Sequence, residues 1–254
     1  MWMAPMSYSQ SDVKATAEIS FTGLVMPKPS TEPSDFLIEN WTVHDGLPRS
    51  GVTAIAQTPD GFLWLGLEMG LARFNGSEFK RYLPTAHPGL VKRPIKTLFV
   101  DRTGRLWIGS KGDGVSVMER GEFRKMDLSN PIFGDEVHQF AQDNHGVIWR
   151  ASSKGIHYYQ NEIAQPVSQE KSALVGAISY RVVEDSYSKR IYGCYWETAG
   201  FWEQDEFIQV LEEKSGMPVL SNNFFPRKEG GIWFLSSDGN RYGAPHRLLP
   251  NGKL

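Results

Sequence analysis

What this 254-residue chain lacks narrows its options first. It has one cysteine, Cys194, so neither an internal disulfide nor a thiolate metal cluster can form. No apolar run approaches the ~20 residues that cross a bilayer as a helix. The most apolar early stretch, Ile19–Met26, is short, follows Glu18 and has no basic cluster ahead of it, so it makes a poor secretory signal. Charge of one sign is missing too. With 27 basic and 29 acidic residues the formal net charge is −2, which gives no footprint for nucleic acid or an anionic membrane. Nor is there a Gly-x-Ser-x-Gly, a His-Glu-x-x-His or a phosphate-cradling glycine loop. His44–Asp45 and Glu212–Glu213 are adjacent pairs with no implied catalytic geometry. The expectation is a protein without cofactor, metal site or catalytic residues.

What is present is a repeat. Gly61-Phe62-Leu63-Trp64-Leu65-Gly66 returns as Gly104–Gly109, as Gly146–Ala151 and as Gly230–Leu235. Trp64, Trp107 and Trp149 stand 43 and 42 apart, and Trp233 lies twice 42 further on. The missing copy should centre on Ile191, with Gly200-Phe201-Trp202 behind it. Five units of about 42 residues make the architecture a tandem array.

Each unit opens with a β-rich run: Val52–Gln57, Ile95–Val100, Val137–Gln142, Ser179–Glu184 and Ser221–Pro226. A turn such as Asp101-Arg102-Thr103-Gly104 follows, with Asp free to accept backbone hydrogen bonds and Gly tolerant of positive φ. One carboxylate per turn makes a turn, not a calcium site. The next strand carries the Trp and the second Gly on one face and two aliphatics on the other. A recurring indole beside a residue without a side chain suits packing between sheets, the Gly leaving room for the neighbour's indole. A third strand ends at turns such as Asn75-Gly76-Ser77, and a fourth begins at Phe79, Phe123, Ile163 and Phe207. Four short antiparallel strands per unit is a propeller blade, so the expected fold is all-β.

Residues 1–35 read as a disordered leader or linker, ending in the extended Pro27–Ser34 segment, and 36–254 as the blades. Phe36–Val43 alternates like a strand, and Arg247–Leu254 reads as an unfinished outer strand.

In a propeller the tight turns gather on one face. The loops before the inner strands, and those between strands two and three, gather on the other, where variation marks a binding surface. Thr53, Lys96, His138, Tyr180 and Asn222 open the inner strands, followed by Ala54, Thr97, Gln139, Arg181 and Asn223. Lys96, His138, Gln139, Tyr180, Arg181, Asn222 and Asn223 are the candidate ligand-binding residues, with His138 or Tyr180 offering a stacking face. Read structurally, the same polar ring merely holds water. Glu68, Lys111, Asp113, Lys154, Glu197 and Asp238 form a rim of mixed charge. Arg150 sits where other units carry Leu65, Ile108, Tyr192 and Phe234, so it either pairs structurally or marks an exposed edge that meets a partner.

Trp41–Pro48, Ala54–Gly66 and Gly70–Gly76 together resemble the two-component regulator propeller repeat. The resemblance runs over roughly residues 36 to 240 and is weakest in the fourth unit, where Ile191 stands in place of Trp and Ser188 in place of the turn Gly. It implies seven-bladed propellers, often in tandem, placed outside the cytoplasmic membrane. There they form the sensing part of histidine kinases, hybrid two-component systems or diguanylate cyclases. Five units then read as an incomplete ring, an N-terminal piece of a longer receptor or a truncated frame. The implied function is non-catalytic capture of a small solute or glycan, passed through blades or a homodimer contact to downstream signalling domains, in the periplasm. The alternatives are a propeller enzyme of lyase or lactonase type and a protein-interaction scaffold.

Overall fold

A computed structural model of the chain describes residues 38–48, 51–126, 135–160, 162–167, 178–195, 198–203, 206–212, 224–227, 229–237 and 242–248. The chain divides into two units, Met1–Asn40 and Trp41–Leu254. The leader expected over 1–35 lies outside the described residues, as do Asn222 and Asn223.

The second unit is a succession of antiparallel sheets. The first blade is β1 (Ala54–Gln57), β2 (Leu63–Leu67), β3 (Gly70–Phe74) and β4 (Phe79–Tyr82). The second is β5 (Ile95–Val100), β6 (Leu106–Ser110), β7 (Val115–Glu119) and β8 (Glu122–Lys125). The third is β9 (Val137–Gln142), β10 (Ile148–Ser152), β11 (Gly155–Gln160) and β12 (Ile163–Pro166). The fourth is β13 (Ser179–Glu184), β14 (Ile191–Tyr195), β15 (Thr198–Glu203) and β16 (Glu206–Glu212). The fifth shows three strands, β17 (Phe224–Pro226), β18 (Ile232–Ser237) and β19 (Tyr242–Leu248). Within every blade the strands pair in chain order, and the inner strands β1, β5, β9, β13 and β17 lie side by side. This is the all-β propeller arrangement that the repeat predicts.

The turn between a blade's first two strands shows why the sequence folds this way. In blade two, Gly104 donates its N–H to the Asp101 carbonyl at 2.9 Å and holds φ at +85°. Asp101 Oδ1 accepts from the Thr103 and Arg105 amides at 2.9 and 3.0 Å, while Oδ2 accepts from Trp107 Nε1 at 2.8 Å. Asp143 does the same for Trp149 at 2.8 Å, and Thr58 substitutes its hydroxyl for Trp64 at 3.0 Å. The turn Asp therefore also holds the indole six residues on. In blade five Arg227 stands in the Asp position and places its guanidinium 5.7 Å from the Trp233 ring.

The Trp face of each blade packs on the aliphatic face of the next. Trp64 and Leu71 meet Leu106 and Ile108, and Trp107, Val115 and Val117 meet Phe140 and Ile148. Trp149 lies against Val182 and Ile191. The second Gly does not make room for an indole, as its position suggested. A Cβ on Gly66 would stand 2.7 Å from Ile95 Cγ2, and one on Gly109 would stand 2.7 Å from Val137 Cγ1. The space belongs to a branched residue on the next inner strand.

Three further expectations need correcting. The fourth unit is centred one residue later than Ile191. Its turn runs Asp185 to Lys189, with Lys189 at φ +60° and its N–H on the Asp185 carbonyl, one residue longer than the glycine turns. That extra residue puts Tyr192, opposite Val183, in the Trp slot, and turns Ile191 to the face that meets blade three. Residues 38–42 carry no strand, and Val43–Asp45 form a single 3-10 turn. Asp45 Oδ2 accepts from the Thr42 amide and hydroxyl, both at 2.8 Å, so the His44–Asp45 pair closes a cap. Trp41 packs edge-on to Phe74 and Phe79, and Leu47 covers Leu65 and Leu67. Lastly, Arg247 and Leu248 belong to the third strand of blade five, paired with Trp233 and Ile232.

Candidate functional site

The inner strands of blades two, three and four share one irregularity. Pairing passes from Ile95↔Ser110 to Thr97↔Gly109, from Ser152↔Val137 to Ala151↔Gln139, and from Ser179↔Tyr195 to Arg181↔Cys194. The residue skipped each time is Lys96, His138 or Tyr180. Each is the extra residue of a β-bulge, a device that frees a side chain from the pleat's alternation and re-aims it. Repeated in three neighbouring blades, it turns three side chains toward one place. There they line an open cavity of about 260 Å³ with Glu136 and Arg181.

The walls are chemically distinct. The rings of His138 and Tyr180 are stacked, with centroids 5.1 Å apart and planes 20° from parallel. Lys96 Nζ lies 2.9 Å from Glu136 Oε1, an ion pair across blades two and three that is partly open to solvent. Burial pushes the His138 imidazole below its ordinary value, against the opposing pull of the Glu136 carboxylate, so the ring is neutral at neutral pH. Burial by itself would raise Glu136; the Lys96 hydrogen bond and charge outweigh it and hold the carboxyl low. Burial also lowers the Arg181 guanidinium and raises the Tyr180 phenol. Counting Lys96, Arg181 and Glu136, the lining carries a formal charge of +1.

Glu136 was missed in the sequence because it precedes the inner strand. It lies two residues before His138, and its backbone ties three elements together. Ser153 N donates to its carbonyl at 2.9 Å, its own N donates to Ser153 Oγ at 3.0 Å, and it bridges to Lys111 of blade two. Its neighbour Asp135 turns inward instead. Asp135 Oδ2 sits 3.1 Å from Arg150 Nη2, both side chains essentially fully buried, and Oδ1 accepts from Ser153 Oγ at 3.0 Å. The 3.1 Å contact is a charge pair without hydrogen-bond alignment, since neither Asp135 Oδ2 nor Arg150 Nη2 has an aligned partner. Arg150 is thus a structural ion pair inside blade three and not an exposed edge.

The other candidates are used locally. Gln139 Oε1 accepts from Val182 N at 3.2 Å and stitches blade three to blade four, away from the cleft lining. Thr53 donates its hydroxyl to the Ile95 carbonyl at 2.6 Å, joining blades one and two. On the rim, Asp113 pairs with Lys125 at 2.7 Å, Lys154 and Glu68 are exposed, and Glu197 and Asp238 lie outside the described residues. Among the described residues no group of three or more His, Cys, Asp or Glu side chains is placed to hold a metal ion.

Blades in series with adjoining inner strands, and a solute-sized cleft where three of those strands begin, define a β-propeller with a candidate binding mouth. The family model for the two-component regulator propeller matches residues 46–68 and 89–112, and these two repeats are two-component regulator propeller repeats. No curated protein matches the chain in sequence. Among solved structures the fold is similar to the extracellular domain of a protein described as a hybrid two-component system from B. thetaiotaomicron. That match has a TM-score of 0.64 and 18% identity, covering 79% of this chain and 29% of that one. It is also similar to virginiamycin B lyase from Staphylococcus aureus, with a TM-score of 0.61 and 12% identity over 80% of this chain and 71% of that one. A streptogramin B lyase structure matches with a TM-score of 0.62 and 15% identity over 82% and 68% of the two chains. At these identities the likeness is one of fold. Among the described residues no helix is long and apolar enough to cross a membrane.

Proposed function

We propose that this chain is the ligand-sensing propeller module of a bacterial two-component or related signalling receptor, acting outside the cytoplasmic membrane. The observation that carries the reading is the convergence of Lys96, His138 and Tyr180, three successive bulge residues, on one cleft with Glu136 and Arg181. A ring of water-holding polar groups needs no such repeated re-aiming. The family match and the fold of the B. thetaiotaomicron extracellular domain support the receptor context. A solute held by three blades at once changes how those blades sit against one another, which is a route for passing occupancy to a downstream domain or a dimer partner.

The test is a thermal-shift panel of sugars, sugar acids and small organic acids on the wild type and Tyr180→Ala. The reading expects at least one solute to raise the wild-type melting temperature and to lose that effect in the variant. A panel silent on the wild type, or shifts indifferent to Tyr180→Ala, contradicts it. A second reading has two supports: the His138 imidazole, its proton affinity lowered by burial, stands beside the Glu136 carboxylate, and structures of similar fold are named as a virginiamycin B lyase and a streptogramin B lyase. Incubation with quinupristin, present in a structure of virginiamycin B lyase of similar fold, decides it when products are separated by liquid chromatography and read by fragment-ion mass spectrometry, because an elimination that opens a ring leaves the mass unchanged. Conversion abolished by His138→Ala supports the lyase reading, and an unchanged substrate removes it.

A further inference from the structure

We infer that Glu136 is a built-in counter-anion, occupying Lys96 until an anionic, ring-bearing solute takes its place. This deepens the sensing reading and rests on it. Three observations carry the inference.

First, the Lys96–Glu136 pair lies in the cleft and is accessible from it. The Lys96 side chain is 41% exposed and that of Glu136 26%. A pair this open is worth little, so an incoming carboxylate exchanges for Glu136 at small cost. Second, the rest of the lining suits such a solute. Arg181 adds a second cation, and the stacked His138–Tyr180 pair forms a flat wall next to the charges. A ring with one carboxylate or sulfate matches both features, and about 260 Å³ accommodates a molecule of that size. Third, the Glu136 backbone cannot follow its side chain. Ser153 holds it on both its N–H and its carbonyl, and Lys111 bridges it from blade two. The Asp135–Arg150 pair anchors the preceding residue in the core. Exchange is therefore a side-chain movement that uncouples Lys96 on blade two from Glu136 on blade three. Occupancy of the cleft then removes a cross-blade tie at a defined place.

The substitutions at the two partners have opposite expected signs. Calorimetric titration uses glucuronate against glucose and benzoate against benzyl alcohol, so that charge and ring type are varied separately. In Glu136→Gln, Lys96 has no competitor, and the affinity for the acid probe rises about fivefold, the upper worth of an exposed ion pair. In Lys96→Met the acid affinity falls about tenfold or more, while the neutral probes respond to neither change. An acid that binds the wild type but binds Glu136→Gln equally or less well overturns the exchange. So does a cleft that prefers the neutral probe, although that result leaves the sensing reading intact. Silence of all four probes on the wild type overturns the exchange as stated. Only silence across the wider panel as well removes the sensing reading.

Discussion

Asp101→Ala should be the most informative single change to the repeat. Asp101 is buried, and its two oxygens take five hydrogen bonds from Thr103, Arg105 and Trp107. Burial alone would raise its carboxyl, but these donors outweigh it and hold the group below its ordinary value of 3.8. The cost of truncation can be built up by donor. Trp107 is 2% exposed, so its Nε1–H loses its acceptor where water cannot replace it, costing about 1–3 kcal/mol. The turn amides and Arg105 lie near solvent and recover water, so together they add roughly 1–2 kcal/mol. The sum is about 2–5 kcal/mol, a large share of the ~5–15 kcal/mol typical of a domain. Urea unfolding followed by tryptophan fluorescence should show a lower midpoint at unchanged slope. A double-mutant cycle with Trp107→Phe isolates the indole bond, and the two changes should be non-additive by about 1 kcal/mol or more. The acid limb gives an independent sign. The folded carboxyl is depressed, so its contribution is full above the unfolded pKa and is lost as pH falls through the folded one. Asp101→Ala should therefore lose less stability on acidification than the wild type. A cost below about 0.5 kcal/mol, or strict additivity with Trp107→Phe, refutes the claim that this turn holds the indole.

Gly109→Ala should cost about 1–3 kcal/mol, because its Cβ would meet Val137 Cγ1 and Thr97 Cγ2 at 2.7 Å, and Val137→Ala in the same chain should recover part of it in the same urea assay. Arg150→Met leaves Asp135 buried without its cation and should cost about 3–5 kcal/mol, whereas replacing both with apolar residues should cost much less. His157 is buried and held down to about 4, by burial first and by the Arg150 charge second. An unfolded chain takes up that proton from about 6.5 downward while the folded chain refuses it. Stability should therefore fall by about 3 kcal/mol as pH drops from 6.5 to 4, and His157→Gln should flatten that part of the profile measured by urea unfolding at each pH.

The Trp period and the Asp–Gly turns carried most of the fold, because they are local chemistry: an accepting side chain, a positive φ and a two-residue alternation. The inner strands Ile95–Val100, Val137–Gln142 and Ser179–Glu184 are legible to the residue for that reason. What escaped is what depends on register. One extra turn residue at Lys189 moves Tyr192 into the Trp slot, and no composition argument weighs a single insertion. The cleft was half legible. Lys96, His138, Tyr180 and Arg181 line it, but their convergence comes from three bulges that leave no mark in the sequence. Glu136 belongs to the cleft although Asp135 beside it is core, and two adjacent acids look alike until a buried Arg150 selects one.

If the proposed function is right, the mouth shared by blades two, three and four receives a solute. Nuclear magnetic resonance of the histidine Cε1 positions, followed through a titration with whichever probe binds, tests it most directly. A saturable shift is expected at His138, among the six histidines of the chain, with the exposed His145 and the buried His157 unmoved. Saturation at His44, His87 or His145 with His138 silent would contradict it.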